Sequence, residues 1–175
     1  DVWLVLDAKI QQVSELAEKY KLCFIIDPED LFRNLSYPKF DDRGILYHSH
    51  FPLLFFFLSH REFDYYWFIE YDVRYTGDWG FFLRSFEPYN ADFIASHIRR
   101  YDEEPLWPWW YSIRHPEKTI DQEKYLRSFN VIFRISNQAL EYIDREQRDG
   151  WQGFNEVSLP TLLYHGGYHI MDFGG

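Results

Sequence analysis

The sequence has little of several residue types, and each shortage excludes a class of protein. Its 175 residues include one cysteine, Cys23, so no internal disulfide can form. Lys and Arg number 18 against 28 Asp and Glu, which gives a net charge of -10. A chain this acidic lacks the basic surface that nucleic acids and anionic membranes require. The longest apolar run, Phe51–Leu58, is far shorter than the roughly 20 residues of a transmembrane helix, so no integral membrane segment is expected.

Aromatic residues, in contrast, are abundant. The chain contains 17 Phe, 14 Tyr and 7 Trp, which make up 22% of its residues. The hydrophobic share of 46% and the charged share of 26% are ordinary for a globular protein, so disorder and coiled coils are excluded. Aromatic rings fill cores, but they also line pockets that stack on flat or ring-shaped ligands.

Hydrophobic periodicity predicts strands that alternate with helices along the whole chain. Predicted strands are 2–6, 22–26, 64–72, 91–96, 130–135 and 168–173, and predicted helices are 9–20, 50–60, 76–86, 138–147 and 155–164. The turn-rich segment Asn34–Gly44 is expected to be a surface loop, and 99–119 an irregular stretch. This alternation predicts a single α/β domain whose mixed, mainly parallel sheet is flanked by helices. Ligands of such sheets bind at the carboxyl ends of the strands.

Two carboxylates follow the most aromatic of these strands. Glu70 and Asp72 lie two residues apart, so on a continuous strand they would point to the same side. Their repulsion is commonly offset by a hard divalent cation such as Mg²⁺ or Mn²⁺, which leaves coordination positions for phosphate. Arg74 could contact the same phosphate. The alternative is that both carboxylates pair with Arg74, Arg84 or a Lys and only end the strand.

This acidic pair resembles the Asp-x-Asp motif of GT-A-fold glycosyltransferases, which are Rossmann-related. In that fold the motif holds a metal ion on the diphosphate of a nucleotide sugar. More narrowly, Glu70-Tyr-Asp-Val-Arg-Tyr-Thr-Gly-Asp-Trp79 resembles the central motif of an uncharacterised, mostly fungal domain family. The close likeness covers about ten residues, and a looser one extends over most of the chain.

The resemblance implies a metal-dependent glycosyltransferase, a hexosyl- or related transferase, that uses Mn²⁺ or Mg²⁺. Its partners would be a nucleotide-sugar donor and a carbohydrate or other hydroxyl acceptor. Glu70, Asp72 and His169 would bind the metal, and Arg74 the donor diphosphate. Glu156 would be the general base of an inverting reaction.

Each of these downstream assignments has an alternative. Glu156 also suits the first turn of a helix, where the helix dipole favours a carboxylate. His169, and with less support His165, also suits a packed core position.

The irregular stretch and one strand add candidates for sugar binding. Trp107, Trp109 and Trp110 could stack on the face of a sugar, or anchor their loop in the core. At least one of the three is expected to be structural. Asp92 could line the same cleft or simply lie at a strand edge.

Two rival functions stay open. A non-catalytic carbohydrate-binding module would use the Trp-rich loop without metal, and a metal-dependent phosphohydrolase would use the same acidic pair. No strand for nucleotide recognition precedes Val2, so the GT-A-like domain over 1–175 is expected to be either trimmed at its N-terminus or a minimal version. A cytoplasmic location would follow for a bacterial protein, and the secretory-pathway lumen for a eukaryotic one.

Overall fold

The computed structural model describes residues 1–38 and 48–174. The chain divides into two compact units, Asp1–Arg61 and Glu62–Gly175, and each is described by itself. The prediction of one domain over 1–175 stays a prediction. Most of the predicted loop Asn34–Gly44 lies outside the described residues.

The described residues form six strands and six α-helices. The strands are β1 (Leu4–Asp7), β2 (Cys23–Ile26), β3 (Tyr65–Ile69), β4 (Phe93–Arg100), β5 (Leu126–Ser136) and β6 (Ile170–Asp172). The helices are α1 (Val13–Lys19), α2 (Pro28–Leu35), α3 (Phe51–Ser59), α4 (Trp79–Ser85), α5 (Asn137–Asp149) and α6 (Asn155–His165).

In the first unit, residues 1–38 and 48–61 form a parallel pair of strands and three helices. β1 pairs with β2 from Leu4 opposite Cys23 to Asp7 opposite Ile26. Helix α2 was missed by the sequence reading, although Asp27-Pro28 is an N-terminal helix signal: the Asp27 carboxylate accepts a hydrogen bond from Glu29 N at 2.8 Å. Helix α3 confirms the helix predicted over 50–60; it is almost wholly apolar and largely buried.

The second unit contains a four-stranded sheet in the order β3-β5-β4-β6. β5 runs antiparallel to both of its neighbours, and only the β4–β6 pair is parallel. The fold is mixed α/β as predicted, but the prediction of a mainly parallel sheet is wrong. Parallel neighbours need a long crossover, usually a helix, whereas residues 101–125 between β4 and β5 form only loops and two short 3₁₀ turns.

The core of the second unit lies where α5 and α6 pack against β5 and against each other. Its fully buried side chains are mainly aliphatic and aromatic; they include Phe133, Ile135, Leu140, Ile143, Leu159 and Leu162. Burial of one such side chain contributes about 1.5–3 kcal/mol. Within residues 1–38 and 48–174, every helix is too short or too polar to span a lipid bilayer.

A buried arginine joins the sheet to the segment that follows α4. Arg134 on β5 is 3% exposed, and its guanidinium lies 4.2 Å from the ring centroid of Tyr65. It donates hydrogen bonds to the carbonyls of Phe86, Tyr89 and Ala91. Burial lowers the pKa of this guanidinium. One side chain therefore supplies hydrogen-bond donors to three backbone carbonyls of the segment that leads into β4.

Candidate active site

Polar side chains gather at one side of the sheet in the second unit. Because β3 and β4 both run antiparallel to β5, and β6 runs parallel to β4, these three strands end on the same side. We call this side the carboxyl edge; it includes Glu70, His97, Arg127 and Asp172. Ligands of layered α/β proteins commonly bind at such an edge.

The ladder between β4 and β5 is interrupted at the carboxyl edge. Ala95 pairs with Phe133, but the next residue, Ser96, pairs with Phe129, and pairing then resumes at Arg99. The Ile98 N–H, which lies in this interruption, donates to the Asp172 carboxylate at 2.7 Å. Irregularities of this kind turn side chains in new directions and are common beside active sites.

Glu156 is a half-buried carboxyl group in the first turn of α6. Burial raises the pKa of its carboxyl above the ordinary value, and the negative charge of Glu70 adds to the rise. The Arg127 guanidinium and a backbone hydrogen bond from Asn130 oppose it. The structure thus brings Glu156 and Glu70 into electrostatic range of each other.

Buried polar contacts fix α6 to β5 and so hold Glu156 in place. Thr161 Oγ1 accepts a hydrogen bond from Leu126 N at 3.0 Å and donates one to Leu126 O at 2.9 Å. Asn130 Nδ2 donates to both the carbonyl and the side-chain oxygen of Asn155 at 3.0 Å. Because these groups are buried, losing one partner would leave the other unsatisfied at a cost of about 1–3 kcal/mol.

Arg127 connects Glu156 to a second carboxylate. Its Nη1 lies 2.9 Å from Glu104 Oε2, and Glu104 Oε1 lies 2.7 Å from His97 Nε2. The guanidinium also lies 4.2 Å from the ring centroid of Trp107. We call this arrangement the His97–Glu104–Arg127 chain. Its contacts hold the Arg127 charge in one position between two carboxylates.

The Trp-rich loop divides into an anchor and a more accessible part. Trp110 is 2% exposed, and its Nε1 donates to Glu104 O at 2.9 Å, which is the structural role expected for one of the three tryptophans. Trp107 and Trp109 are half-buried, with ring centroids 6.1 and 5.5 Å from that of Phe154. Since Phe154 immediately precedes α6, these rings lie next to the segment that carries Glu156.

The acidic motif forms a turn rather than the end of a strand. β3 stops at Ile69, and Val73 N donates to Glu70 O at 3.1 Å. The prediction that the strand continues to Asp72, with both carboxylates on one face, is therefore wrong. Glu70 is half-buried, whereas Asp72 and Arg74 are exposed.

Two predicted site residues lie at the other end of the sheet. Asp92 accepts hydrogen bonds from Ser136 Oγ at 2.9 Å and from His169 N at 3.0 Å. Ser136 pairs with the first residue of β3, whereas Glu70 follows the last one. The structure thus places Asp92 and His169 away from Glu70. Within the described ranges, no group of three or more His, Cys, Asp or Glu side chains is arranged to hold a metal ion.

Sequence reasoning missed Arg127 and Glu104. The signal for Arg127 was a charged residue that directly precedes the apolar strand core, but the strand was predicted to begin three residues later, at Asn130. Glu104 lies in an irregular loop, and nothing in the local pattern indicates its partners.

Part of the chain is similar to a known protein family. Residues 17–93 match the model of a family described as "Protein of unknown function (DUF3405)". The match covers fewer than half of the 175 residues and includes the motif from Glu70 to Trp79. It supports the predicted similarity to an uncharacterised family. No curated protein and no solved structure matches the chain.

The raised pKa of Glu156 predicts a pH-dependent stability. A carboxyl group whose pKa is higher in the folded state destabilises the fold when it is ionised. This loss of stability is absent below the unfolded pKa of about 4.3 and complete above the folded pKa. Glu156→Gln is therefore expected to be more stable than the wild type at pH 7, with the difference disappearing near pH 3. Denaturant unfolding at both pH values measures this difference.

Glu123→Gln is the matched control, because Glu123 is exposed on a short turn. It should change stability by less than about 0.5 kcal/mol at either pH. An equal effect of Glu156→Gln at pH 3 and pH 7 would contradict the electrostatic explanation.

Proposed function

We propose that this chain is a metal-dependent glycosyltransferase that moves a sugar from a nucleotide-sugar donor to a hydroxyl acceptor. The observation that carries the proposal is the juxtaposition of Glu70 and Glu156 at the carboxyl edge. The two residues are far apart in the sequence. The sequence analysis gave them different roles, Glu70 as a ligand of the metal on the diphosphate and Glu156 as the general base.

Glu156 has the properties of a general base. Its raised pKa makes the ionised carboxylate a stronger proton acceptor than an exposed one. Arg127 and the Asn130 N–H act in the opposite direction on this pKa and favour the ionised form. In the proposed reaction Glu156 takes the proton of the acceptor hydroxyl, and the oxygen attacks the anomeric carbon of the donor.

Aromatic side chains beside Glu156 suit a sugar ring. Trp107, Trp109 and Phe154 form a partly exposed group next to the first turn of α6. Amphipathic aromatic rings stack on the apolar face of a sugar and leave its hydroxyls accessible. We assign this group to the acceptor or the transferred sugar.

The donor end of the site would lie at the Glu70–Val73 turn. Glu70 and Asp72 offer carboxylate oxygens, the ligand type that Mg²⁺ and Mn²⁺ prefer, and two protein ligands leave positions for phosphate. These two residues would hold the cation, which supplies Lewis-acid stabilisation of the leaving diphosphate. Arg74 is exposed beside them and could contact the same diphosphate.

Nucleotide binding tests the proposal directly. The melting temperature is measured with UDP, GDP, CMP and their sugar conjugates, each with Mn²⁺ and with EDTA. A ligand at a hundred times its Kd adds about 2.7 kcal/mol of stability, which shifts the melting temperature by several degrees. We expect one nucleotide to give a metal-dependent shift that is lost in Glu70→Ala/Asp72→Ala.

Glu87→Ala is the control, because Glu87 is an exposed carboxylate in the turn after α4. It should retain the shift. Absence of a shift with every nucleotide would contradict the proposal. Sugar binding that survives EDTA and the double variant would instead favour a carbohydrate-binding module on the Trp-rich loop, and phosphate release without sugar transfer would favour a phosphohydrolase.

A further inference from the structure

The backbone of His97 is strained. Its φ angle is +53°, in the left-handed region that residues other than glycine seldom adopt. The angle occurs within the interruption of the β4–β5 ladder, and the hydrogen bond from Ile98 N to Asp172 fixes the next residue. Strained residues of this kind persist where the surroundings impose them, and they cluster at functional sites.

The strained backbone directs the imidazole toward a carboxylate that is itself held in place. Glu104 Oε1 lies 2.7 Å from His97 Nε2, and Glu104 Oε2 lies 2.9 Å from Arg127 Nη1. Both oxygens of Glu104 are therefore engaged. The Arg127 guanidinium is in turn packed on the Trp107 ring.

The other ring nitrogen of His97 is available. With Glu104 ionised, Nε2 carries the hydrogen and donates it, so Nδ1 presents a lone pair. Across the described part of the chain, Nδ1 accepts no hydrogen bond, and the side chain is 39% exposed. A carboxylate that holds one nitrogen and an open lone pair on the other orient the ring to accept a hydrogen bond from a ligand hydroxyl.

We propose that His97 is a substrate-binding residue whose Nδ1 accepts a hydrogen bond from a sugar hydroxyl other than the one that Glu156 deprotonates, with Glu104 and Arg127 as positioning residues. The contact with Glu104 keeps the hydrogen on Nε2 and the lone pair on Nδ1. Arg127 holds the Glu104 carboxylate in place. The inference rests on the proposed function for the identity of the substrate, a nucleotide sugar or its hydroxyl acceptor.

The site would then contain two groups that contact substrate hydroxyls, Glu156 as the base and His97 as a hydrogen-bond acceptor. The remaining charges near His97 are Asp172, which binds Ile98 N, and Arg99, whose Nη1 lies 3.8 Å from Asp172 Oδ2. Arg99 lies on β4, like His97, and Asp172 on the neighbouring β6; their charges have opposite sign, so Glu104 is the charge that acts directly on the imidazole.

The first experiment needs no enzymatic activity. Diethyl pyrocarbonate acylates unprotonated imidazole nitrogens, and mass spectrometry of peptides gives the rate at each histidine. The exposed His165 serves as an internal standard within the same chain. Glu104→Gln is expected to slow labelling of His97 several-fold and leave the rate at His165 unchanged. Equal labelling of His97 in the wild type and in Glu104→Gln would overturn the proposal.

The second experiment is chemical rescue of His97→Gly. Glycine fits the left-handed backbone and leaves space for a small base. Turnover of the nucleotide sugar that binds in the melting experiment is expected to fall about tenfold, as for the loss of one substrate hydrogen bond, and to recover with added imidazole. His97→Asn, which also tolerates this backbone, should not be rescued, because its side chain fills the space. Glu156→Gln should not be rescued either.

The two experiments separate this inference from the proposed function. Unchanged turnover in His97→Gly, or loss without rescue by imidazole, would overturn the role of His97 even though the chain is a glycosyltransferase. If the wild type consumes no nucleotide sugar, the proposed function fails, and the labelling rates alone then support or overturn the His97–Glu104 arrangement.

Discussion

Replacing Arg134 by Met is expected to lower the free energy of unfolding by about 3 kcal/mol. The substitution removes a charged donor from the carbonyls of Phe86, Tyr89 and Ala91. The Met side chain fills the space of the Arg134 side chain, but it leaves those carbonyls without a hydrogen-bond donor. For a chain of this length, 1 kcal/mol corresponds to about 2–4 °C, so the melting temperature should fall by about 6–12 °C.

Two further variants show whether this loss has the stated cause. Arg134→Lys keeps the charge, but a single ammonium group cannot match the planar fork that reaches three carbonyls, so stability should be intermediate. Arg84→Met removes an exposed arginine at the end of α4 and should cost less than about 0.5 kcal/mol. If Arg134→Met and Arg84→Met were equally stable, the hydrogen bonds of Arg134 would contribute nothing to the fold.

Glu156→Gln is expected to lower turnover of the proposed reaction by about 10²- to 10⁴-fold. Gln has nearly the same shape as Glu and can occupy the same position beside Arg127, but it cannot accept a proton. The loss should appear in kcat, because donor binding depends on Glu70 and Asp72 and not on the protonation of Glu156. Steady-state kinetics with the nucleotide sugar identified by the melting experiment would measure it.

The donor-dependent melting shift is the internal control for this variant. Glu156→Gln should keep the shift, which shows that the site is folded and binds donor. Glu123→Gln should keep both the shift and the turnover, since Glu123 is exposed on a short turn and has no role in the proposed site. Undiminished turnover in Glu156→Gln would remove the assigned base from the mechanism.

The elements of the fold were largely readable from the sequence because their periodicity is strong. Helix α6 was predicted over 155–164 and extends over Asn155–His165, and α3 and α5 differ by one or two residues at their ends. Strand direction was not readable, since the pattern of β5 is the same whether its neighbours are parallel or antiparallel. The structure describes the segment between Arg100 and Leu126 in full and shows no α-helix there. Parallel neighbours usually need such a crossover helix, so its absence is what indicates an antiparallel pair.

The candidate site was only partly readable, for a physical reason. Glu70 and Glu156 adjoin predicted elements, so the position of each could be estimated. Arg127, Glu104 and His97 meet because the β4–β5 ladder is interrupted, and such an interruption depends on tertiary pairing rather than on local propensity. Asp92 was a reasonable candidate by position, but its hydrogen bonds connect strands at the opposite end.

The pairing of β6 with β4 has a consequence for how the second unit folds. The two strands pair Phe93 with Ile170, residues that are 77 positions apart in the sequence. Contacts of such long range slow folding, because the entropy of closing the intervening loop is lost before the contact forms. During synthesis β4 can pair with β5 first, but its other edge stays uncovered until β6 has left the ribosome. Nascent chains that stop before Ile170 should therefore expose an unpaired strand, the kind of edge on which proteins aggregate.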